Sequence, residues 1–271
     1  MTPFFNSQLG ADYKGDGRCV FTVWAPFAGR AAVRLLDPRA RTIPLARTGH
    51  GYFTGEIESA PPGTRYYYRL YKSGDPDDET SDFEDRPDPA SRCQPQGVHG
   101  PSRVVSCEFD WKCAGWQGMA LSKYIISEIH VGAFTPEGTF ESVIPHLKSL
   151  KQTGFTAVEL MPVSQFPGGR NWGYDGVYPF AVQKTYGGTE GLKRLVDACH
   201  SEGLAVVLDV VYNHLGPEGN YFRQFGPYFT DFYKTPWGEA VNFDGPGSDH
   251  VRRFFIENAL FWVTEFKIDA L

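Results

Sequence analysis

In the stretch Asp209-Val-Val-Tyr-Asn-His214 a carboxylate and an imidazole stand five residues apart, at the end of an aliphatic run over 204–211. A carboxylate can hold a cation or a hydrogen-bond donor in place, and an imidazole can donate, accept or pass a proton near neutral pH. Taken singly, each has an ordinary explanation at least as good as a functional one: a turn-capping aspartate and a surface histidine. Their position shifts the balance. So uniform an apolar run reads as a strand buried on both faces of a parallel sheet, where an ionised carboxylate is costly unless paired. Where strands and helices alternate around a barrel, chemistry collects at the carboxyl-terminal rim. A second group, Glu128, His130 and Glu159, falls on two more predicted strands and could form a paired-carboxylate site. Barrel interiors hold such polar residues without catalysis, and that reading is preferred. No G-x-S-x-G elbow and no G-x-G-x-x-G turn is present, so neither serine-triad hydrolysis nor dinucleotide binding is supported.

The elements that must position these residues alternate. Residues 124–131 read as strand one, 139–152 as a helix, 156–160 as strand two, and 189–201 as a helix with Leu192, Leu195, Val196 and Cys199 on one face. Strand three is 204–211. A helix over 248–266, with Ser248 or Asp249 as cap, precedes the start of a fourth strand at 267–271. Such alternation gives parallel strands with right-handed crossovers, closing as an open doubly wound sheet or as a barrel. A complete barrel takes about 250 residues, of which the span 122–271 supplies roughly half.

The amino-terminal part has a different texture. Residues 18–25, 31–36, 51–57 and 64–71 are β-rich runs bounded by Gly, Pro or Asp, which predicts a small β-sandwich over 1–97. Trp24 could stack on a sugar, but a sandwich of this size needs a core tryptophan, and the core role is favoured. Residues 73–103 are acidic and proline-rich without the spacing of a calcium loop, hence a solvated connection. Residues 98–121, with Trp111 and Trp116, form a linker that docks the two parts. A net charge of −6 with no dominant Lys/Arg cluster argues against nucleic acid and for a neutral small molecule. Five cysteines, an odd number without metal-like spacing, suggest reduced thiols in a cytoplasmic protein. The start, Met1-Thr-Pro-Phe-Phe-Asn, lacks a signal-peptide pattern, and no apolar run is long enough for a membrane span.

The Asp-x-x-x-x-His pattern at 209–214 resembles the first signature of the α-amylase superfamily, glycoside hydrolase family 13. The resemblance runs from residue 124 to 271, through Glu159-Leu-Met-Pro-Val163, Asn171-Trp-Gly-Tyr-Asp-Gly176, Asn213-His-Leu-Gly-Pro-Glu-Gly-Asn-Tyr221 and Thr235-Pro-Trp-Gly-Glu239, and Trp24-Ala-Pro26 is similar to the sandwich that precedes the barrel in some members. As a set these are most similar to the trehalohydrolase branch. Branching enzymes share the sandwich and the Trp-Gly-Tyr element but resemble the chain less around 213–221. The resemblance implies an α/β fold: a carbohydrate-binding-module-like β-sandwich, then the first half of a (β/α)8 barrel ending at strand four. It implies hydrolysis of the α-1,4 bond next to the trehalose end of maltooligosyltrehalose, with a related α-glucan, a branching enzyme or a non-catalytic carbohydrate-binding protein as alternatives. Tyr174 would stack beneath the sugar, His214 would bond its hydroxyls, and Asp209 would hold an arginine that orients the nucleophile. Trp172 and Asn213 would also bind substrate, an aromatic lid and a turn-forming residue being equally good explanations. Nucleophile, acid and stabiliser would all lie beyond Leu271, so no catalytic residue is assigned and this chain alone is expected to be inactive. Ala270 stands where the family usually has Gly. No metal and no cofactor are implied.

Overall fold

A computed structural model describes residues 9–75, 81–113 and 115–271. The amino-terminal segment read above for targeting, and Asp77, Asp78 and Glu79 of the acidic stretch, lie outside the described residues.

The amino-terminal part is a sandwich of two antiparallel sheets. One has the order β1 (Gly10–Gly15), β2 (Arg18–Trp24), β6 (Tyr52–Ile57), β5 (Ala46–Arg47). The other runs β4 (Arg41–Pro44), β3 (Arg30–Leu35), β7 (Arg65–Tyr71), β8 (Phe83–Arg86), with β9 (Ser102–Arg103) also on β7. Strand β7 shows why the sheets form: Tyr66, Tyr68 and Leu70 point inward while Arg65, Tyr67, Arg69 and Tyr71 point out. Phe21 of β2 meets Tyr66 edge-on at 4.9 Å in the core. Trp24 is 2% exposed and packs on Tyr228 and His250, so it is a packing residue.

The stretch read as a solvated connection is instead largely part of the sandwich. Asp85 of β8 accepts from Arg69 at 2.8 Å and from Arg34, which offsets its charge at the sheet. Beyond it, Asp88, Ser91, Arg92 and Gln94 are buried. Burial pushes Asp88 up to about 7, against the Tyr66 hydroxyl and the Ala90 amide that donate to it. Acidic residues at this density look solvated in sequence, but Asp85 and Asp88 are satisfied by local partners.

From residue 126 strands and helices alternate: β10 (Ile126–Ile129), α1 (Val131–Phe134), α2 (Phe140–Val143), α3 (Leu147–Thr153), β11 (Ala157–Leu160), β12 (Ser164–Gln165), β13 (Tyr178–Val182), α4 (Gly188–Ser201), β14 (Ala205–Leu208), α5 (Phe222–Phe225), β15 (Phe229–Thr235), β16 (Gly238–Val241) and α6 (Ser248–Phe266). Strands β10, β11 and β14 form a parallel sheet in which Glu128, Glu159 and Val207 are in register. Ala270 forms a parallel bridge to Val207, so residues 269–270 do begin a fourth strand. The helix predicted over 139–152 opens on a Thr139 capping box but tightens to a 3-10 turn at 144–146, where Pro145 removes an amide donor. Helix α6 spans the predicted residues. Its cap, however, is Gly247 in the left-handed conformation, and neither Ser248 nor Asp249 caps it.

The two parts share a core. One apolar cluster runs from Phe21, Trp24 and Phe53 of the sandwich through Phe222, Phe225 and Tyr228 to Phe254 and Phe255 of α6. A second fills the space between the parallel sheet and its helices, and Leu192, Leu195, Val196 and Cys199 are fully buried in it. The sandwich is therefore mounted on the barrel half by continuous packing as well as by the linker. All five cysteines are unpaired. Among the described residues no helix is long and apolar enough to cross a membrane.

Candidate active site

Strand β14 ends at Leu208, three residues short of the aliphatic run, because the chain leaves the sheet there. Asp209 is thus the first residue past the strand, its amide still tied to the Leu160 carbonyl at 2.9 Å. It stands at the carboxyl-terminal rim.

Two loops meet above it. In the first, Asn171 acts as a local template: its Oδ1 accepts from the Gly173 amide at 2.8 Å and its Nδ2 donates to Asp175 at 2.6 Å. Gly173 has φ of +101°, and a Cβ there would lie 2.1 Å from the Pro162 carbonyl oxygen. Only glycine lets the loop pass so close to the β11 exit. From behind, the His130 Nε2 lies 2.8 Å from the Asn171 carbonyl and the Tyr186 hydroxyl donates to it at 3.3 Å. His130 thus supports the loop. Glu128 and Glu159 share the sheet face with Asp209 but do not line the cleft; burial, Glu128 and Asp209 together raise Glu159. The second loop, 213–216, is pinned to the first by the Gly216 amide donating to the Gly176 carbonyl at 3.0 Å.

The result is a cleft of about 630 Å³ in which Tyr174, Asp209, His214, Trp172 and Asn213 all take part. The structure brings all five sequence candidates to one place. The Tyr174 hydroxyl donates to Asp209 at 2.8 Å, and the tyrosine is pushed up to about 12 by that bond, by burial and by the aspartate's charge. His214 is 6% exposed, with Nδ1 3.0 Å from Asn213 Oδ1. With that oxygen as acceptor, Nδ1 carries the hydrogen and Nε2 is left to accept from a ligand hydroxyl. Trp172, 73% exposed, forms an outer wall.

Five lining residues, Asn171, Asp175, Val210, Val211 and Trp237, were not singled out as site residues in sequence, and of these Trp237 touches His214. Trp237, 65% exposed on the turn of the β15–β16 hairpin, stacks on His214 at 5.8 Å and 26°. The available signal was a tryptophan between Pro236 and Gly238, in a turn too tight to bury it. Exposed aromatic rings beside buried, hydrogen-bonded polar groups suit a ligand with a flat apolar face and a rim of hydroxyls. Among the described residues no group of His, Cys, Asp or Glu is placed to hold a metal ion.

The α-amylase catalytic-domain model matches residues 70–263, and that of carbohydrate-binding module 48 (isoamylase N-terminal domain) matches residues 8–83. The chain therefore belongs to the α-amylase family. Within it, the chain is 47% identical over 250 residues to malto-oligosyltrehalose trehalohydrolase of Saccharolobus solfataricus, covering 92% of this chain and 42% of that protein. The same-named protein of Rhizobium sp. (strain M-11) is 43% identical over 268 residues, 95% of this chain and 42% of that one. In three dimensions the chain is similar to a putative α-amylase from Salmonella typhimurium, with a TM-score of 0.86, 39% identity, and coverage of 98% of this chain and 43% of that one. The chain thus spans less than half the length of the relatives it matches.

Proposed function

We propose that this chain supplies the sugar-holding side of an active site that hydrolyses the α-1,4 bond adjacent to the trehalose end of maltooligosyltrehalose, releasing trehalose. The observation that carries the reading is the convergence of Tyr174, Asp209 and His214 on one rim cleft between the exposed rings of Trp172 and Trp237. In it, Tyr174 stacks beneath the sugar ring at the cleavage point and His214 Nε2 takes a hydroxyl. Trp172 and Asn213 border the chain of sugars. Asp209 steadies an arginine and, through it, the nucleophile. A retaining glycosidase needs a carboxylate nucleophile and a carboxylic acid about 5 to 5.5 Å apart. The cleft carboxylates Asp209 and Asp175 are engaged by Tyr174 and Asn171, and we assign neither to those roles. The reading takes residues 1–97 as the sandwich, 98–121 as a linker that lends β9 to the sandwich sheet, and 122–271 as the barrel portion. Five unpaired thiols suit a cytoplasmic setting.

The test is product analysis on maltooligosyltrehalose and on amylose, for this chain and for any longer form of the polypeptide. Trehalose from the first substrate with the longer form supports the reading. New branch points in the second would replace it with a branching enzyme, and binding without turnover by the longer form would leave a carbohydrate-binding protein.

A further inference from the structure

His250, in the first turn of α6, is held at the seam between sandwich and barrel half by groups of both parts. Its ring lies 5.0 Å from that of the buried Trp24 of β2, tilted by 30°, and 5.6 Å from that of His50. His50 sits between Gly49 and Gly51 with φ of +61°, in the left-handed region. Its carbonyl accepts from Trp24 Nε1 at 3.0 Å while its ring faces His250.

The hydrogen bonds that lead to His250 run in one direction. Arg253 donates to Glu257 at 2.7 Å and to the Tyr52 hydroxyl of β6. A guanidinium can only donate, so the Tyr52 oxygen accepts there and its one hydrogen goes to His250 Nδ1, 3.1 Å away. Nδ1 must then keep its lone pair, and the neutral imidazole with its hydrogen on Nε2 is the form the seam is built for. A proton on Nδ1 would set one donor against another and place a positive charge beside Arg253.

The charged and titratable groups around that ring are Asp249, Arg252, Arg253 and Glu257 from α6, Tyr52 from β6 and His50 from the turn. Only the two carboxylates favour an imidazolium, and each is already engaged, Asp249 by Arg252 and Glu257 by Arg253. Burial, His50 and Arg253 accordingly hold His250 below its ordinary 6.5, against Asp249. A base lowered in the folded chain lends stability that is present above 6.5 and is lost as pH falls from there to the folded value.

We propose that His250 and His50 form an acid-sensitive latch: with both rings neutral the sandwich is held on α6, and a proton on His250 Nδ1 breaks the chain from Tyr52 and loosens the seam. The rim cleft shares no lining residue with the seam, so the latch acts on the mounting of the sandwich and not on the sugar-holding loops.

The test is NMR of the purified chain titrated from about pH 8 to about pH 5, across the range in which histidine changes charge. It follows the histidine ring signals and the exchange with water of two indole hydrogens. Trp24 Nε1 reports on the seam, and Trp262 Nε1, buried and bonded to Asn258 at 3.1 Å, serves as the internal reference. His250 should titrate with a midpoint below 6.5. Exchange at Trp24 relative to Trp262 should quicken about tenfold, the change in an opening equilibrium that a tenfold difference in proton affinity supplies. His250→Gln keeps an acceptor for Tyr52 but cannot be charged, and should hold that ratio constant. His50→Asn tolerates the left-handed backbone and, with the like charge gone, should raise the His250 midpoint toward 6.5. Three results would overturn the proposal: a His250 midpoint at or above 6.5, a Trp24 to Trp262 ratio that does not change with pH, or the same change of ratio in His250→Gln.

Discussion

Asp209 and Asp269 sit at opposite ends of the same parallel sheet and differ in what their carboxylates are given to do. Asp269, where the fourth strand begins, is saturated. Oδ1 accepts from Trp116 Nε1 at 2.8 Å, and Oδ2 accepts from the Val206 amide at 2.8 Å and pairs with His200 Nε2 at 2.9 Å. Trp116 stacks on that imidazole at 4.8 Å, and the Cys113 sulfur lies 3.7 Å from its other nitrogen. One carboxylate thus ties the linker, α4, β14 and the fourth strand together. Asp209, at the other end, accepts from the Tyr174 hydroxyl alone among the described residues and faces a cleft. A carboxylate can accept about four hydrogen bonds, so the basal one has little capacity left while the rim one keeps most of its own. The difference between a structural and a ligand-directed aspartate is the number of donors the protein itself supplies.

Cutting the basal clamp should have the largest effect. Asp269→Ala strands an imidazole, an indole and a backbone amide, and should cost about 3 to 5 kcal/mol in urea unfolding. Asp269→Asn should cost less, since an amide oxygen can still accept. The clamp also carries a pH signature. Burial raises this carboxyl, but the bonds from His200, Val206 and Trp116 outweigh it and leave the group below its ordinary 3.8. Its contribution is therefore fully present above that value and is lost as pH falls through the lower folded value. Wild type and Asp269→Asn should converge in stability in acid, and a constant gap down to full protonation would break the comparison. Next in size is Gly173→Ala, which sets a Cβ against the Pro162 carbonyl at a positive φ and should cost about 2 to 3 kcal/mol. Its damage should fall on the rim, seen as faster amide exchange over 171–176 with the Val206 amide still protected.

The same contrast explains what could be read from the chain beforehand. Helix α6 and the inward residues of α4 follow from hydrophobic period alone, because burial dictates those residue types. Strands β4 and β5 could not be found that way: they are short edge strands, almost wholly exposed, held by ladder bonds to β3 and β6 that carry no composition signal. At the site, Asp209 and His214 stood out as a carboxylate and an imidazole at the end of an apolar strand, and Tyr174, Trp172 and Asn213 came with the resemblance. Trp237 reaches His214 only because the hairpin folds back over the rim, with the Val241 amide bonded to the Asn213 carbonyl, and no local pattern announces such a contact. The basal clamp was equally hidden, since its members are spread from residue 113 to 269.

Asp209→Asn sharpens the comparison from the other end. An asparagine oxygen can still accept from Tyr174, so stability should change by less than about 1 kcal/mol. Binding in the rim cleft, followed by Trp172 and Trp237 fluorescence with maltotetraose, should weaken, whereas Asp269→Asn should leave the affinity of the molecules that remain folded unchanged. A large loss of stability in Asp209→Asn with unchanged binding would reverse the two roles.

The smallest expected effect belongs to Glu159, which shares the sheet face with both Glu128 and Asp209. Burial and those two carboxylates raise it, so the folded state disfavours its charged form. For an acid shifted upward, the stability it contributes is present at low pH and is lost as pH rises through the folded value. Glu159→Gln removes that repulsion while keeping the shape, and should stabilise the chain by a few tenths of a kcal/mol at neutral pH. The gain should disappear in acid, opposite in sign to the behaviour of Asp269. If Glu159→Gln destabilises at neutral pH instead, the glutamate is held by a donor, and the inner face of the sheet must then be counted with the saturated base instead of with the open rim.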